Sequence, residues 1–190
     1  MHTIASNKTY ELIVKSSRFI AILIKINDSS DIGKILDDIK KEYPNATHYC
    51  YAYTTPDYQK QSDDGEPSGT AGVPILNVLN KHNLVNILAV VVRYFGGIKL
   101  GAGGLVRAYS KSVSNAIKEA EIKELTKGYN VDITFSYDET NNVDYLLKDV
   151  KINNKIYTDK ITYNIDISNV DILKNNHLEY KILKEIYIEK

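Results

Sequence analysis

The sequence predicts an α+β chain built as two domains, and three features of its pattern point that way. Apolar runs of strand period alternate with amphipathic segments of helical period. A charged, apolar-poor stretch at 121–128 ends in glycine and reads as a boundary. Beyond it a full β-α-β-β-α-β order starts afresh, the order of a ferredoxin-like domain. The expected division is therefore 1–122 and 129–190.

Two strand-like runs, 10–15 and 18–26, flank Ser16 and Ser17, and β-branched residues dominate the second. A helix over 30–43 follows from Ile32, Ile35, Leu36 and Ile39, with Ser29, Ser30 or Asp31 as cap and Pro44 as stop. Residues 47–54 alternate strictly. Thr47, Tyr49, Tyr51 and Tyr53 face one way, while His48, Cys50, Ala52 and Thr54 form a small-residue face suited to a packed helix. Residues 55–69, rich in Pro, Asp, Gly and Ser, read as an exposed loop. A helix at 71–81, capped by Ser68 or Thr70, precedes a strand at 85–95 that is apolar enough for burial on both faces. A glycine-dense loop at 96–104 then opens a helix at 105–120. In the second domain the expected elements are a strand (129–137), a helix (139–150), strands at 155–158 and 160–167, a short helical piece (170–176) and a last strand (180–189).

With 43% hydrophobic and 25% charged residues the composition is that of a folded globular protein. Cys50 is the single cysteine, which excludes an intramolecular disulfide and a paired-cysteine metal site. The first residues lack a signal-peptide pattern, and the longest apolar runs are six residues, against the about 20 of a membrane span. The expectation is a cytoplasmic protein without membrane contact. Net charge is zero but uneven: residues 1–128 hold 16 Lys+Arg against 13 Asp+Glu, and 129–190 hold 8 against 11. That argues against broad electrostatic binding and leaves room for a local basic surface.

The densest candidate for chemistry runs from Arg93 to Lys111, where a strand feeds Gly96, Gly97, Gly101, Gly103 and Gly104 and then a helix. Unpaired N–H groups at such a helix start bind anions, and Arg93, Lys99 and Arg107 can add charge beside them. The spacing matches neither the Walker A nor the dinucleotide-binding motif. The alternative is that the glycines only permit a tight turn and close packing. A second candidate, Asp63, Asp64 and Glu66, offers three carboxylates for a hard cation or for acid–base work. Turn formation and helix capping explain the same residues, and so does pairing with Arg93, Lys99 or Arg107. His48 and Cys50 share a strand face and invite a thiol-enzyme reading, but a cysteine in a small-residue stripe usually packs as a small hydrophobe. Tyr49, Tyr51, Tyr53, Tyr94 and Tyr109 can stack on bases if they share a surface.

The pieces HYCYAY (48–53), SDDGEPSGTAG (62–72) and RYFGGIKLGAGGLVRAY (93–109), with SRFIA at 17–21, resemble the signature region of the YigZ/IMPACT family. The resemblance covers about 10–120. It implies a first domain folded like the second domain of ribosomal protein five of the small subunit, and a second domain like the ferredoxin-like domain V of elongation factor G. It also implies a link to RNA, the ribosome and the regulation of translation. Eukaryotic members act in the amino-acid starvation pathway with an extra N-terminal domain, and that partner is not carried over. The function expected is RNA or ribosome binding through Arg93, Lys99, Arg107 and the glycine loop. His48, Asp63, Asp64 and Glu66 serve as supporting residues, and no catalytic residue, metal or cofactor is implied. The alternative is an enzyme or small-anion binder using the glycine loop and the facing acidic loop. The sequence names no protein partner.

Overall fold

The computed structural model describes residues 1–27 and 29–190 and divides them into two units, Met1–Lys123 and Glu124–Lys190. The chain is α+β throughout. In the first unit five strands form one antiparallel sheet: β2 (Lys8–Val14), β3 (Ser17–Lys25), β4 (His48–Thr54), β5 (Gln59–Ser62) and β6 (Ile87–Tyr94), in the order β2-β3-β6-β4-β5. A short β1 (His2–Ile4) lies apart from it, held by a parallel bridge from His2 to Leu84.

Both faces of this sheet are covered. Along β6, Ile87, Ala89 and Val91 point to one face and Leu88, Val90 and Val92 to the other, and all six are buried. The first face meets α2 (Gly72–Lys81) and α3 (Gly101–Glu119) through Ile75, Val78, Leu79, Leu105, Ala108, Tyr109 and Val113. The second meets α1 (Ile32–Glu42) through Ile32, Ile35, Leu36 and Ile39. The alternation of β4 sorts as its sequence requires: Cys50 and Ala52 sit under α2 and α3, where small side chains let the helices approach. Tyr49, Tyr51 and Tyr53 pack on the α1 side with Tyr94. Tyr109 is wholly buried. The five tyrosines therefore do not form a shared stacking surface, because four fill one core layer and the fifth fills the other.

In the second unit β7 (Ile122–Phe135), β8 (Lys151–Tyr157), β9 (Ile161–Ile167) and β10 (Glu179–Glu189) take the order β10-β7-β9-β8, which is the ferredoxin-like arrangement. The short helices α4 (Thr140–Leu146) and α5 (Asp171–Asn175) supply Val143 and Leu173, with Leu147 and Val170 beside their ends, to a core with Val131, Ile133, Tyr163 and Ile165. The opposite face of the sheet is polar. Asn130 donates to Asp166 at 2.7 Å and Asn164 donates to Asp132 at 2.7 Å.

Four expectations need correcting. Residues 55–69 are not all loop, because Gln59–Ser62 pairs with Tyr51–Thr54 as a polar edge strand whose Lys60 and glutamines suit an exposed edge. The turn between β2 and β3 is Lys15–Ser16, both with positive φ (44° and 64°), which matches the twist of a two-residue hairpin. The stretch 121–128 is mostly strand, since β7 begins at Ile122. Gly128 there is no linker glycine: a Cβ on it would clash with Ile188 and the Ile167 carbonyl. Finally, α3 starts at Gly101, so Gly101, Gly103 and Gly104 form its first turn rather than a preceding loop.

We propose that the first unit folds alone, since its two core layers draw on its own residues. A 1–123 fragment is expected to melt cooperatively by circular dichroism. A fragment with no transition would show that the first unit depends on the second.

Candidate functional site

The candidate site of the first unit lies where β6 runs out and α3 begins. After Tyr94 the chain must turn, and two hydroxyls pin it. Thr47 Oγ1 accepts the Phe95 N–H at 3.0 Å, and Ser17 Oγ accepts the Gly96 N–H at 3.1 Å. Gly96 lies so close to the Ser16–Ser17 backbone that any Cβ would clash with it. Gly101 has φ +70°, the left-handed region that favours glycine. The packing role weighed for the glycines thus belongs to Gly96 and, against Leu100, to Gly104, while Gly103 has room for a Cβ beside Arg107.

Opposite this turn stands the acidic loop, and its three carboxylates have separate tasks. Asp63 reaches the start of α2, its oxygens accepting N–H groups from Gly69 (2.8 Å), Ala71 (3.0 Å) and Gly72 (2.8 Å). This corrects the expected cap: neither Ser68 nor Thr70 caps α2. Burial alone would raise the Asp63 carboxyl, but the three donors outweigh it and hold the group below the usual carboxylate range. Asp64 Oδ2 accepts the Tyr49 N–H at 2.6 Å. Glu66 turns inward and is buried with Arg93, whose Nη1 donates to Glu66 Oε1 at 2.5 Å. Tyr109 donates to the same oxygen at 2.8 Å. Burial pushes the Tyr109 phenol far up, so the hydroxyl acts as a neutral donor.

Arg93 therefore is not part of an exposed basic patch. It is 5% exposed, because β6 is covered on both faces and its side chain points under the acidic loop. Its guanidinium lies 5.3 Å from the Phe19 ring and 5.5 Å from the Phe95 ring. Nε is buried without a hydrogen-bond partner among the described residues, a deficit on the order of 1–3 kcal/mol for a buried donor. Lys99 and Arg107 are exposed and have no ion-pair partner among the described residues.

His48 completes the floor. Its Nδ1 lies 2.8 Å from the Asp64 carbonyl, which can only accept, so Nδ1 carries a proton. Nε2 lies 3.8 Å from Glu66 Oε2. His48 thus engages the acidic loop and not Cys50. The Cys50 thiol donates to the Asp63 carbonyl at 2.9 Å, and burial pushes its pKa up to about 12. At neutral pH such a thiol is protonated, which argues against the thiol-enzyme reading. Nor do the carboxylates converge: no three metal-ligating side chains come together among the described residues.

Between the turn and the acidic loop these residues enclose a cleft of about 370 Å³. Thr47, His48, Glu66 and Arg93 form one side, and Phe95, Lys99, Gly101 and Ala102 the other. No side chain caps α3, so its first N–H groups remain available there. Thr47, Phe95 and Tyr109 belong to this arrangement without having been singled out for it by sequence. Tyr109 meets Glu66 across 43 residues, a pairing that no local spacing signals.

Residues 15–117 match the Impact N-terminal domain. The chain belongs to the IMPACT family. IMPACT family member YvyE of Bacillus subtilis (strain 168) is 48% identical over 125 residues, which cover 64% of this chain and 58% of that protein. IMPACT family member YigZ of Escherichia coli (strain K12) is 38% identical over 151 residues, or 76% of this chain and 74% of that one. A crystal structure of a hypothetical protein superposes with a TM-score of 0.69 at 30% identity, covering 96% of this chain and 97% of the other. The match to YvyE spans less than two-thirds of that protein's length. Among the described residues, no helix is long and apolar enough to cross a membrane.

The Asp63 cap makes the site sensitive to acid in a defined direction. A carboxyl depressed in the fold stabilises it above the ordinary carboxylate pKa, and the contribution fades as pH falls through the folded value. Asp63→Asn is expected to cost about 1–2 kcal/mol at neutral pH, because three charge-assisted hydrogen bonds become neutral or are lost. The gap to wild type should shrink once the solution is acidic enough to protonate Asp63. Urea titrations of both proteins across that range check it, and a gap constant with pH would contradict the assignment.

Proposed function

We propose that this protein binds RNA in a translation-linked setting, on or near the ribosome, and grips backbone phosphates at the head of α3. The observation that carries the reading is the uncapped start of this 19-residue helix, flanked by two exposed cations, Lys99 and Arg107. A helix start presents unpaired N–H groups and partial positive charge, the combination that phosphate oxygens take. Its first turn carries glycine at 101, 103 and 104, so little side-chain bulk keeps a sugar–phosphate backbone away. Phe95 and Ile98, both about half exposed, lie in the same turn and offer apolar surface to bases or riboses.

The link to translation rests on family membership and on the resemblance of the signature region. The second unit lends less to phosphate binding, since one face of its sheet displays Asp132 and Asp166 among amides and its charge is negative. The phosphate grip is therefore assigned to the first unit.

Each phosphate contact releases about one counterion, so Lys99→Ala and Arg107→Ala should each lower the salt slope of RNA binding by about one. Neither change should move the melting temperature, because neither side chain is paired among the described residues. Fluorescence anisotropy over a salt series, beside thermal melts, reads both. An unchanged slope in both variants would remove the grip from the head of α3.

A further inference from the structure

The cleft behind that rim is built for more than a passing backbone. We infer that it is a socket for a terminal phosphate monoester, so that RNA is held there by a phosphorylated end; the inference rests on the RNA-binding reading above. Two independent observations converge on it. The Arg93 guanidinium lines the cleft and is almost sealed, with Nη1 taken by Glu66 and Nε buried without a partner among the described residues. From the other side the uncapped head of α3 lines the same space at Gly101 and Ala102, with Lys99 beside it. Among the described residues Glu66 is the one carboxylate on the lining, and Arg93 already answers it. The remaining charge, from Lys99 and the helix start, favours an anion.

Shape selects among phosphates. An internal phosphodiester spends two of its oxygens on ester bonds, carries one charge and needs a path in and out. A terminal monoester carries close to two charges at neutral pH and three acceptor oxygens. Only an end group can turn its oxygens toward both a recessed guanidinium and a helix head. The volume, about 370 Å³, falls in the range of about 300–1,000 Å³ typical of small-ligand sites. A surface that merely tracks a backbone needs no cavity. Pro67, Phe95, Leu100 and Leu105 give the cleft apolar walls against which the terminal ribose or base can rest.

The test compares one short single-stranded RNA prepared with a 5′-phosphate, with a 3′-phosphate or with hydroxyls at both ends, titrated against the full chain. One phosphorylated form should bind about tenfold tighter than the hydroxyl form, and which one names the end. Ala102→Asp should bring that ratio near one. A carboxylate at a helix start favours the helix while occupying the socket with negative charge, so a melting temperature at or above wild type confirms that the variant folds. Equal binding of all three RNAs would overturn the socket and leave RNA binding standing. A preference that survives in Ala102→Asp would also overturn it, because the end would then be read elsewhere. If no RNA binds in any form, the RNA reading fails and the socket falls with it.

Discussion

A carboxylate and a guanidinium, Glu66 and Arg93, share a space that water barely reaches, and the candidate site is arranged around their contact. Taking two such charges out of water costs several kcal/mol apiece, roughly what their attraction returns, so the pair adds little net stability. What it supplies is position. Arg93 belongs to the central strand of the sheet and Glu66 to a loop with no regular structure of its own. Leaving either charge without its partner is far more costly than keeping both. The loop is therefore held against the end of β6, and a cleft opens between it and α3.

Other contacts elaborate that constraint. Tyr109, from the middle of α3, donates to the same carboxylate oxygen and so ties the helix to the loop and the strand. Asp63 and Asp64 fix the loop's other end, one at the start of α2 and one on the edge of β4. His48 is set by the Asp64 carbonyl with its second nitrogen toward Glu66. Three elements and a loop thus converge on one carboxylate, and the two cations that this network does not use, Lys99 and Arg107, are left facing solvent.

Much of this was legible in the sequence where the signal was periodic. The strict alternation of 47–54 sorted small from aromatic faces, and the unbroken apolar run of β6 announced a strand buried on both sides. Boundaries were less legible where tertiary contact decides them. Gly128 reads locally as a linker glycine and stands in β7 because Ile188 packs over it. At the site, the motif located the glycine turn and the acidic loop, and pairing of Arg93 with a carboxylate was among the readings open to it. Which of Asp63, Asp64 and Glu66 would pair was not readable, because three near-identical acids differ only in the direction that the folded loop gives them. Arg93 looked equivalent to Lys99 and Arg107 for the same reason, since sequence does not report that the acidic loop folds over its end of the strand and seals it with Glu66.

The most direct measurement is a double-mutant cycle on the central pair, with Glu66→Gln, Arg93→Met and the two combined, read by chemical denaturation. If the pair is mutually dependent, each single change costs about 3–5 kcal/mol by stranding a buried charge or polar partner. The double variant should then lose no more than either single one, because nothing charged remains to be stranded. Losses that simply add would mean that Glu66 and Arg93 act independently, and the cleft would need another explanation for its shape.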